Sequence, residues 1–216
     1  MPSDACILGF DTSAAHSAAA LLCGERIAAL RDEEMGTGQA ERLMPLLAAV
    51  LAEAGQKWRD LDAIAVGIGP GNFTGIRIAV SAARGLALST GAPAIGVSRF
   101  DALAFGLHRP VLALVAAPRG QSYAHVVGTD AAPRLVTAGS LPGDLAGSGM
   151  DCVGHDAEAF ARATGGQALC PALPLAQAIA RIAATRLGDD NPRPAPLYIR
   201  AADAAPASDP PPVILT

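Results

Sequence analysis

A glycine-rich segment, Gly67–Arg77, is the part of the sequence best suited to holding a ligand. It reads GIGPGNFTGIR and leads into a helix predicted to begin at Phe73. Glycine lets a backbone approach a ligand closely and adopt positive φ, and the free N–H groups of a helix N-terminus can bind an anion. The segment is neither a Walker A loop nor a complete GxGxxG motif, because no Lys-Ser/Thr follows and Thr74 stands at the third glycine position. Two hypotheses stay open, an anion-binding loop and a tight strand-to-helix turn.

The tripeptide Asp11-Thr12-Ser13 follows the first apolar run and is a second candidate. A carboxylate and two hydroxyls at a turn can hold a phosphate or a magnesium-bound water, but these residue types favour turns without any ligand. Arg77 falls in the first helical turn, where a cation opposes the helix dipole, so it is expected to pair with a carboxylate of another chain or a bound anion. The candidate anion or nucleotide loop comprises Asp11, Thr12, Ser13, Gly69, Gly71 and Thr74.

Other common reaction centres have no signature in the sequence. The histidines, His16, His108, His125 and His155, form no HExxH or HxxxH motif, and the four cysteines form no CxxC pair. No GxSxG nucleophile elbow is present. We therefore predict no metal site, and reduced thiols in a cytosolic protein.

The composition describes a globular chain. Of 216 residues, 51% are hydrophobic and 17% charged, which excludes a disordered polyelectrolyte. A net charge of -4 and an aromatic content of 4% argue against direct RNA binding. No apolar stretch approaches the ~20 residues that span a membrane, and the first residues lack the basic region of a secretory signal. We expect a cytoplasmic protein that does not contact membranes.

Apolar patterning predicts the order β-β-β-α-β-α-β-α for the first half, and a shortened repeat of the opening three strands in the second. The predicted strands of the first half are Cys6–Phe10, Ser17–Cys23, Arg26–Glu33, Leu61–Ile68 and Pro93–Val97, with helices at Leu43–Ala54, Phe73–Thr90 and Arg99–Leu107. The second half is predicted to contain strands Val111–Ala117, Gln121–Gly128, Arg134–Ala138 and Met150–Gly154, and helices Asp156–Ala163 and Leu175–Leu187.

Two predicted helices, Leu43–Ala54 and Phe73–Thr90, are apolar on nearly every side. Small residues recur at every fourth position of the second helix, which would let another helix approach closely: Gly75, Ala79, Ala83 and Ala87. On the first helix, Met44 lies away from the leucine stripe. Such helices need cover beyond one sheet face, either from other parts of the chain or from a partner protein. We predict the partner.

The segments FDTS, QAERLMPLL, AVGIGPGNFTGIRIAVSAARGLAL, PAIGVS and PLYIR resemble the TsaB (YeaZ) family. The resemblance covers most of residues 5–105 and reappears at 196–200. It implies an α/β fold of the actin/Hsp70/sugar-kinase-like (ASKHA) type, a duplicated ribonuclease-H-like fold with two lobes, the second reduced. The implied organisation is an N-terminal lobe over 1–108, a smaller lobe over 109–200 and an Ala/Pro-rich tail over 201–216.

The resemblance also implies a function in threonylcarbamoyladenosine modification of tRNA. Members pair with TsaD, which holds metal and transfers the group, and work with the ATPase TsaE. This chain would then be a non-catalytic subunit without its own cofactor, the complex would use ATP, and tRNA would be contacted only through the complex. Without TsaD the same surface is expected to bury itself in a homodimer. A glycoprotease-like (M22-type) metallopeptidase, the family's older label, and a stand-alone nucleotide-binding protein are the alternatives.

The resemblance assigns a partner interface to the two apolar helices. Its predicted members are Glu41, Arg42, Leu43, Met44, Phe73, Gly75, Ile76, Arg77, Ala79, Val80 and Ala83. The sequence departs from the family pattern at Gln39-Ala40, where members often have His-Ser. It departs again at Ala117-Pro118-Arg119, where members often have Asp-Ala-Arg. The second departure removes a carboxylate suited to magnesium binding or general base work, so we predict no catalytic residue.

Overall fold

A computed structural model describes residues 5–199, and the predicted tail over 201–216 lies outside this range. The first of two five-stranded sheets contains β1 (Cys6–Asp11), β2 (His16–Cys23), β3 (Arg26–Glu34), β4 (Ala63–Gly67) and β5 (Ala94–Val97). Its strand order is β3-β2-β1-β4-β5. The first three strands are joined by short turns and pair antiparallel, whereas β4 and β5 follow helical crossovers and pair parallel.

The second sheet repeats this arrangement. Its strands are β6 (Val111–Ala116), β7 (Ser122–Val127), β8 (Arg134–Val136), β9 (Cys152–Gly154) and β10 (Ala168–Leu169). The order β10-β9-β6-β7-β8 places β6 between an antiparallel and a parallel neighbour, as β1 is in the first sheet. The predicted α/β fold with a duplicated strand pattern is confirmed. Strand β10 was missed because a two-residue strand is too short to give a periodic signal.

The helices are α1 (Gln39–Glu53), α2 (Phe73–Thr90), α3 (Arg99–Leu103), α4 (Ala157–Thr164) and α5 (Leu175–Thr185), with 3-10 turns at Trp58–Asp60 and Pro118–Gly120. The bounds of α2 match the prediction, because Asn72 caps its start and Gly91 ends it with φ 79°. Helix α1 begins earlier than predicted, at the polar residue Gln39. Within residues 5–199, no helix is long and apolar enough to cross a membrane.

Helix α5 returns from the second half of the sequence to cover the first sheet. Its Ile179 and Ala183 are fully buried in one cluster with Ile7 and Ala65, while α1 and α2 pack on the opposite face. A Cβ on Gly9 would lie 2.8 Å from the carbonyl oxygen of Ala176 and 2.9 Å from Ala180 Cβ. Glycine at this position therefore allows the close approach of α5. The predicted boundary at residue 108 stays a prediction, but residues beyond it complete the core of the first sheet.

Residues 191–199, here called the C-terminal strap, run across the first sheet and α2. The Leu197 N–H donates to the carbonyl oxygen of Ile68 at 2.8 Å, and Arg84 Nε donates to the carbonyl oxygen of Pro194 at 2.7 Å. Pro194 is buried beside Gly96. The strap therefore bonds to Ile68 within the glycine-rich segment and to Arg84 of α2.

Candidate functional site

The Asp11-Thr12-Ser13 turn is fully buried at the end of β1. Asp11 Oδ1 accepts hydrogen bonds of 2.8 Å from both the N–H and the hydroxyl of Ser13. The same oxygen lies 2.8 Å from His16 Nε2. The carboxylate thus holds the backbone of its own turn and orients the histidine at the start of β2. His16 had no role in the sequence prediction, because only the folded turn brings it to Asp11.

The glycine-rich segment is bonded directly to this turn. Thr12 Oγ1 donates to the carbonyl oxygen of Gly75 at 2.7 Å, and the Asn72 N–H donates to the carbonyl oxygen of Ser13 at 2.7 Å. The Asn72 side chain accepts from the N–H groups of Thr74 and Gly75 at 2.9 and 3.1 Å. These two N–H groups at the start of α2, which were predicted to face an anion, therefore donate to the Asn72 side chain instead.

Three glycines allow this close contact. A Cβ on Gly67 would collide with the Asp11 carboxylate, one on Gly71 with the carbonyl oxygen of Ser13, and one on Gly75 with that of Thr12. The space that glycine provides is occupied by the chain itself, as the tight-turn hypothesis requires. Gly69 differs, because its φ of 95° is itself a conformation that favours glycine. Anion binding at the candidate loop stays a prediction.

The electrostatics of Asp11 follow from its partners. Burial alone raises the pKa of this carboxyl group. The hydrogen bond from His16, the charge of Arg99 and the Ser13 N–H favour the ionised form, and together they hold the pKa below its ordinary value of 3.8. The Arg99 Nε atom is buried and has no hydrogen-bond partner among residues 5–199. Asp11 is therefore a structural anion that a histidine and an arginine stabilise.

The equivalent place in the second sheet holds no carboxylate. Strand β6 ends at Ala116, and Ala117, Pro118 and Arg119 follow it in a tight turn. The Ala117 N–H donates to the carbonyl oxygen of Gln121 at 2.9 Å, which closes the turn. The departure from the family pattern therefore begins directly after β6, the strand that holds the place of β1 in the second sheet.

Part of the predicted partner interface is buried within this chain, and the interface itself stays a prediction. The side chains or Cα atoms of several predicted members are buried within this chain: Leu43, Gly75, Ile76, Ala79, Val80 and Ala83. Helix α2 lays its small-residue ridge against β4 and α1, so close packing serves the chain's own core. These residues are not available to a second protein in this conformation.

The remaining predicted members reach the surface. Met44 is 41% exposed and Phe73 is 37% exposed, and Glu41 is also exposed. Met44 borders a groove of about 360 Å³ with Trp58 and Leu86. Arg42 is half-buried and makes two 2.6 Å bonds to Glu33, so its guanidinium already has a partner within the chain.

Arg77 has an aromatic environment in place of the expected acid or anion. Its guanidinium carbon lies 3.8 Å from the Phe73 ring centroid, and its Nε donates to the Tyr198 hydroxyl at 2.9 Å. The rings of Phe73 and Tyr198 stack at 5.1 Å. A cation over an aromatic face is favourable, which offsets the helix-dipole cost. Tyr198 was quoted in the PLYIR motif, but its role depends on the C-terminal strap and was missed.

Two curated relatives are similar to part of this chain. The chain is 40% identical over 88 residues to the "tRNA threonylcarbamoyladenosine biosynthesis protein TsaB" of Escherichia coli, covering 38% of each chain. It is 34% identical over 106 residues to the protein of that name from Haemophilus influenzae, covering 48% of this chain and 44% of the relative. Over these segments the chain is similar to TsaB (YeaZ) proteins. The matched segments span less than half of these two relatives.

A family model and two solved structures also match this chain. Residues 33–133 match the family described as "TsaD: tRNA N6-adenosine threonylcarbamoyltransferase". YeaZ from Pseudomonas aeruginosa superposes with a TM-score of 0.71 at 22% identity, covering 90% of this chain and 99% of that one. An uncharacterised Pseudomonas aeruginosa protein with similarity to peptidase YeaZ gives 0.73 at 24% identity, covering 91% and 100%. At these identities the two structures show that the fold is shared, and no more than that.

Proposed function

We propose that this chain is a non-catalytic partner subunit in threonylcarbamoyladenosine modification of tRNA. It would pair with a TsaD-like transferase and work with a TsaE-like ATPase, so that ATP and tRNA are handled by the assembled complex. The names of the Escherichia coli and Haemophilus influenzae relatives support the process. Residues 33–133, which match the transferase family, support kinship with such a partner.

The observation that carries this proposal is the engagement of Asp11 by its own chain. A carboxylate that binds magnesium or acts as a base must present an oxygen to the cation or substrate. Here Oδ1 accepts from Ser13 and contacts His16, and Gly67 packs against Oδ2. The strand at the same place in the second sheet ends in Ala116. This arrangement favours a subunit that acts through its surface.

The outer side of α1 is the surface that we assign to the partner. Met44 is an exposed large hydrophobic residue in the middle of a helix whose leucines are buried. Ala48 and Ala52 are also exposed, and they continue from Met44 at intervals of four residues, which places them on one side of the helix. Small and apolar side chains at this spacing can accept a partner helix.

A charged residue at position 44 tests whether the outer side of α1 binds the partner. We expect wild-type chain to retain a TsaD-like subunit during co-purification and Met44→Glu to lose it, while both have the same circular dichroism spectrum and melting temperature. Ala132→Glu is the matched control, since Ala132 is an exposed loop residue of the second half. If folded Met44→Glu protein still retains the transferase, the outer side of α1 is not part of the interface. Reconstituted tRNA modification that proceeds equally well without this chain would contradict the proposed function itself.

A second candidate is an enzyme or nucleotide-binding protein acting alone. The match of residues 33–133 to a transferase family supports this enzyme candidate. The solved structure described as similar to a peptidase is consistent with it. Metal analysis and nucleotide titration of the isolated chain separate the candidates. Stoichiometric metal with peptide hydrolysis, or tight ATP binding with turnover, would establish the second candidate. A nucleotide that only protects the chain against heating, through an effect abolished by changing Gly71, would indicate a binding protein.

A further inference from the structure

Cys6 and Cys23 face each other across strands β1 and β2. The strand register pairs them directly, and their Sγ atoms lie 2.7 Å apart. The Gly24 N–H donates to the carbonyl oxygen of Ala5 at 2.9 Å, so residues 5 and 24 form a hydrogen-bonded pair. The cysteines therefore occupy the adjacent non-hydrogen-bonded pair, in which Cα atoms are about 4.5 Å apart. That separation is within the range of about 4.4–6.8 Å that a disulfide spans.

The two thiols differ in access. Cys6 is buried with only 7% exposure, whereas Cys23 is half-buried at the end of β2, next to the Gly24 turn. A small solute therefore reaches Cys23 first. Burial, followed by the hydrogen bond to Cys23, raises the pKa of Cys6 to about 12. Cys6 thus stays a protonated thiol while its neighbour is the more accessible one.

We propose that Cys6 and Cys23 are a site of oxidative modification, at which a hydroperoxide converts the thiol pair into an intrachain disulfide. The Cys23 thiol releases its proton and its sulfur attacks one peroxide oxygen, the O–O bond breaks, and Cys23 becomes a sulfenic acid while the leaving hydroxide takes up a proton and departs as water. Cys6 Sγ then attacks Cys23 Sγ and loses its proton, the S–O bond breaks, and a second water leaves. Two thiols and one hydrogen peroxide give one disulfide and two waters, and two electrons pass from sulfur to peroxide.

The sheet is already arranged for this reaction. Strand β1 is held between β2 and β4, and the Cys6 N–H donates to Asp62 Oδ2 at 2.7 Å, so the backbone around Cys6 is fixed. Oxidation then requires side-chain rotation without a change of strand register. Among the described residues, neither of the other cysteines has a second cysteine as a partner. Cys152 Sγ donates to the Met150 carbonyl oxygen at 3.5 Å and lies 3.7 Å from Thr164 Oγ1, and Cys170 is exposed.

Peptide mapping of the full chain tests this proposal. Folded protein is treated with one equivalent of hydrogen peroxide, alkylated after denaturation and digested without reductant. We expect loss of two of the four thiols, a mass decrease of about 2 Da in the intact chain before alkylation, and a peptide joining Cys6 to Cys23. Dithiothreitol should restore all four thiols. Cys170→Ser, which removes the exposed thiol, should give the same linked peptide.

Two results would contradict the proposed disulfide between Cys6 and Cys23. One is a peroxide-treated chain in which Cys6 is still fully alkylated, and the other is thiol loss confined to chain-to-chain bonds through Cys170. Cys6→Ser tests the order of steps, since it should leave a Cys23 sulfenic acid that dimedone traps. If Cys6→Ser does not fold, the wild-type peptide map decides the question by itself. The proposal is independent of the proposed function, because no partner or tRNA enters the measurement.

Discussion

Asp11 and Ala116 end the strands that hold the same place in the two sheets, and only one of them is an acid. Asp11 is fully buried and bonded to its own turn, whereas Ala116 is exposed. Strands β1 and β6 each lie between an antiparallel and a parallel neighbour. The duplication is therefore preserved in the backbone, while the chemical symmetry between the two turns is lost.

The contact between Gly75 and Thr12 makes a strong prediction for stability. Gly75→Ala should destabilise the chain by about 1–3 kcal/mol, because its Cβ would meet the carbonyl oxygen of Thr12. Gly85→Ala is the matched control in the same helix, where a Cβ meets nothing within 4 Å. It should stabilise by roughly 0.5–1 kcal/mol through helix propensity. Urea unfolding measures both, and equal effects of the two substitutions would contradict the packing described.

Burial of Ala79 predicts that a charge there unfolds the protein. Ala79 is fully buried in the cluster below α1 and α2, so Ala79→Glu would place an unpaired carboxylate in the core at a cost of about 3–5 kcal/mol. Ser81→Glu, at an exposed position of α2, should leave the melting temperature within a few degrees of wild type. Thermal unfolding followed by circular dichroism distinguishes them. A folded Ala79→Glu protein would show that the ridge is accessible.

The lowered pKa of Asp11 predicts a defined dependence of stability on pH. Since the folded state favours the ionised form, the contribution of Asp11 is complete above its ordinary pKa of 3.8 and is lost as the pH falls through the lower folded value. Asp11→Asn should cost about 1.5–3 kcal/mol at pH 7, and the difference from wild type should shrink in acid. Asp130→Asn, in an exposed loop, serves as the control. A difference that grows below pH 3.8 would contradict this assignment.

Stacking of Tyr198 on Phe73 predicts that the aromatic contact holds the C-terminal strap. Tyr198→Ala removes both the stack and the acceptor for Arg77, so the Leu197 amide, bonded to Ile68, should exchange its hydrogen faster. Tyr198→Phe keeps the stack and should have a smaller effect. Amide exchange followed by NMR or mass spectrometry provides the measurement. Unchanged exchange in Tyr198→Ala would mean that the strap is held elsewhere.

The elements were more predictable than their contacts. Helix α2 was predicted at its observed bounds because Asn72 and Gly91 are strong local signals. The inward direction of Ala79 was not predicted, since an alanine-rich helix that is apolar on many sides does not reveal which ridge meets the sheet. Glycines such as Gly71 are equally ambiguous, because a sequence shows that space is needed but not whether a ligand or the chain fills it.

The placement of α5 also has a consequence for synthesis on the ribosome. Residues 175–185 are made late, yet they cover Ile7 and Ala65 in strands made early. One side of the first sheet therefore has no cover until most of the polypeptide has emerged. During that interval the nascent N-terminal half presents apolar surface to chaperones, and α5 is the element that ends this exposure.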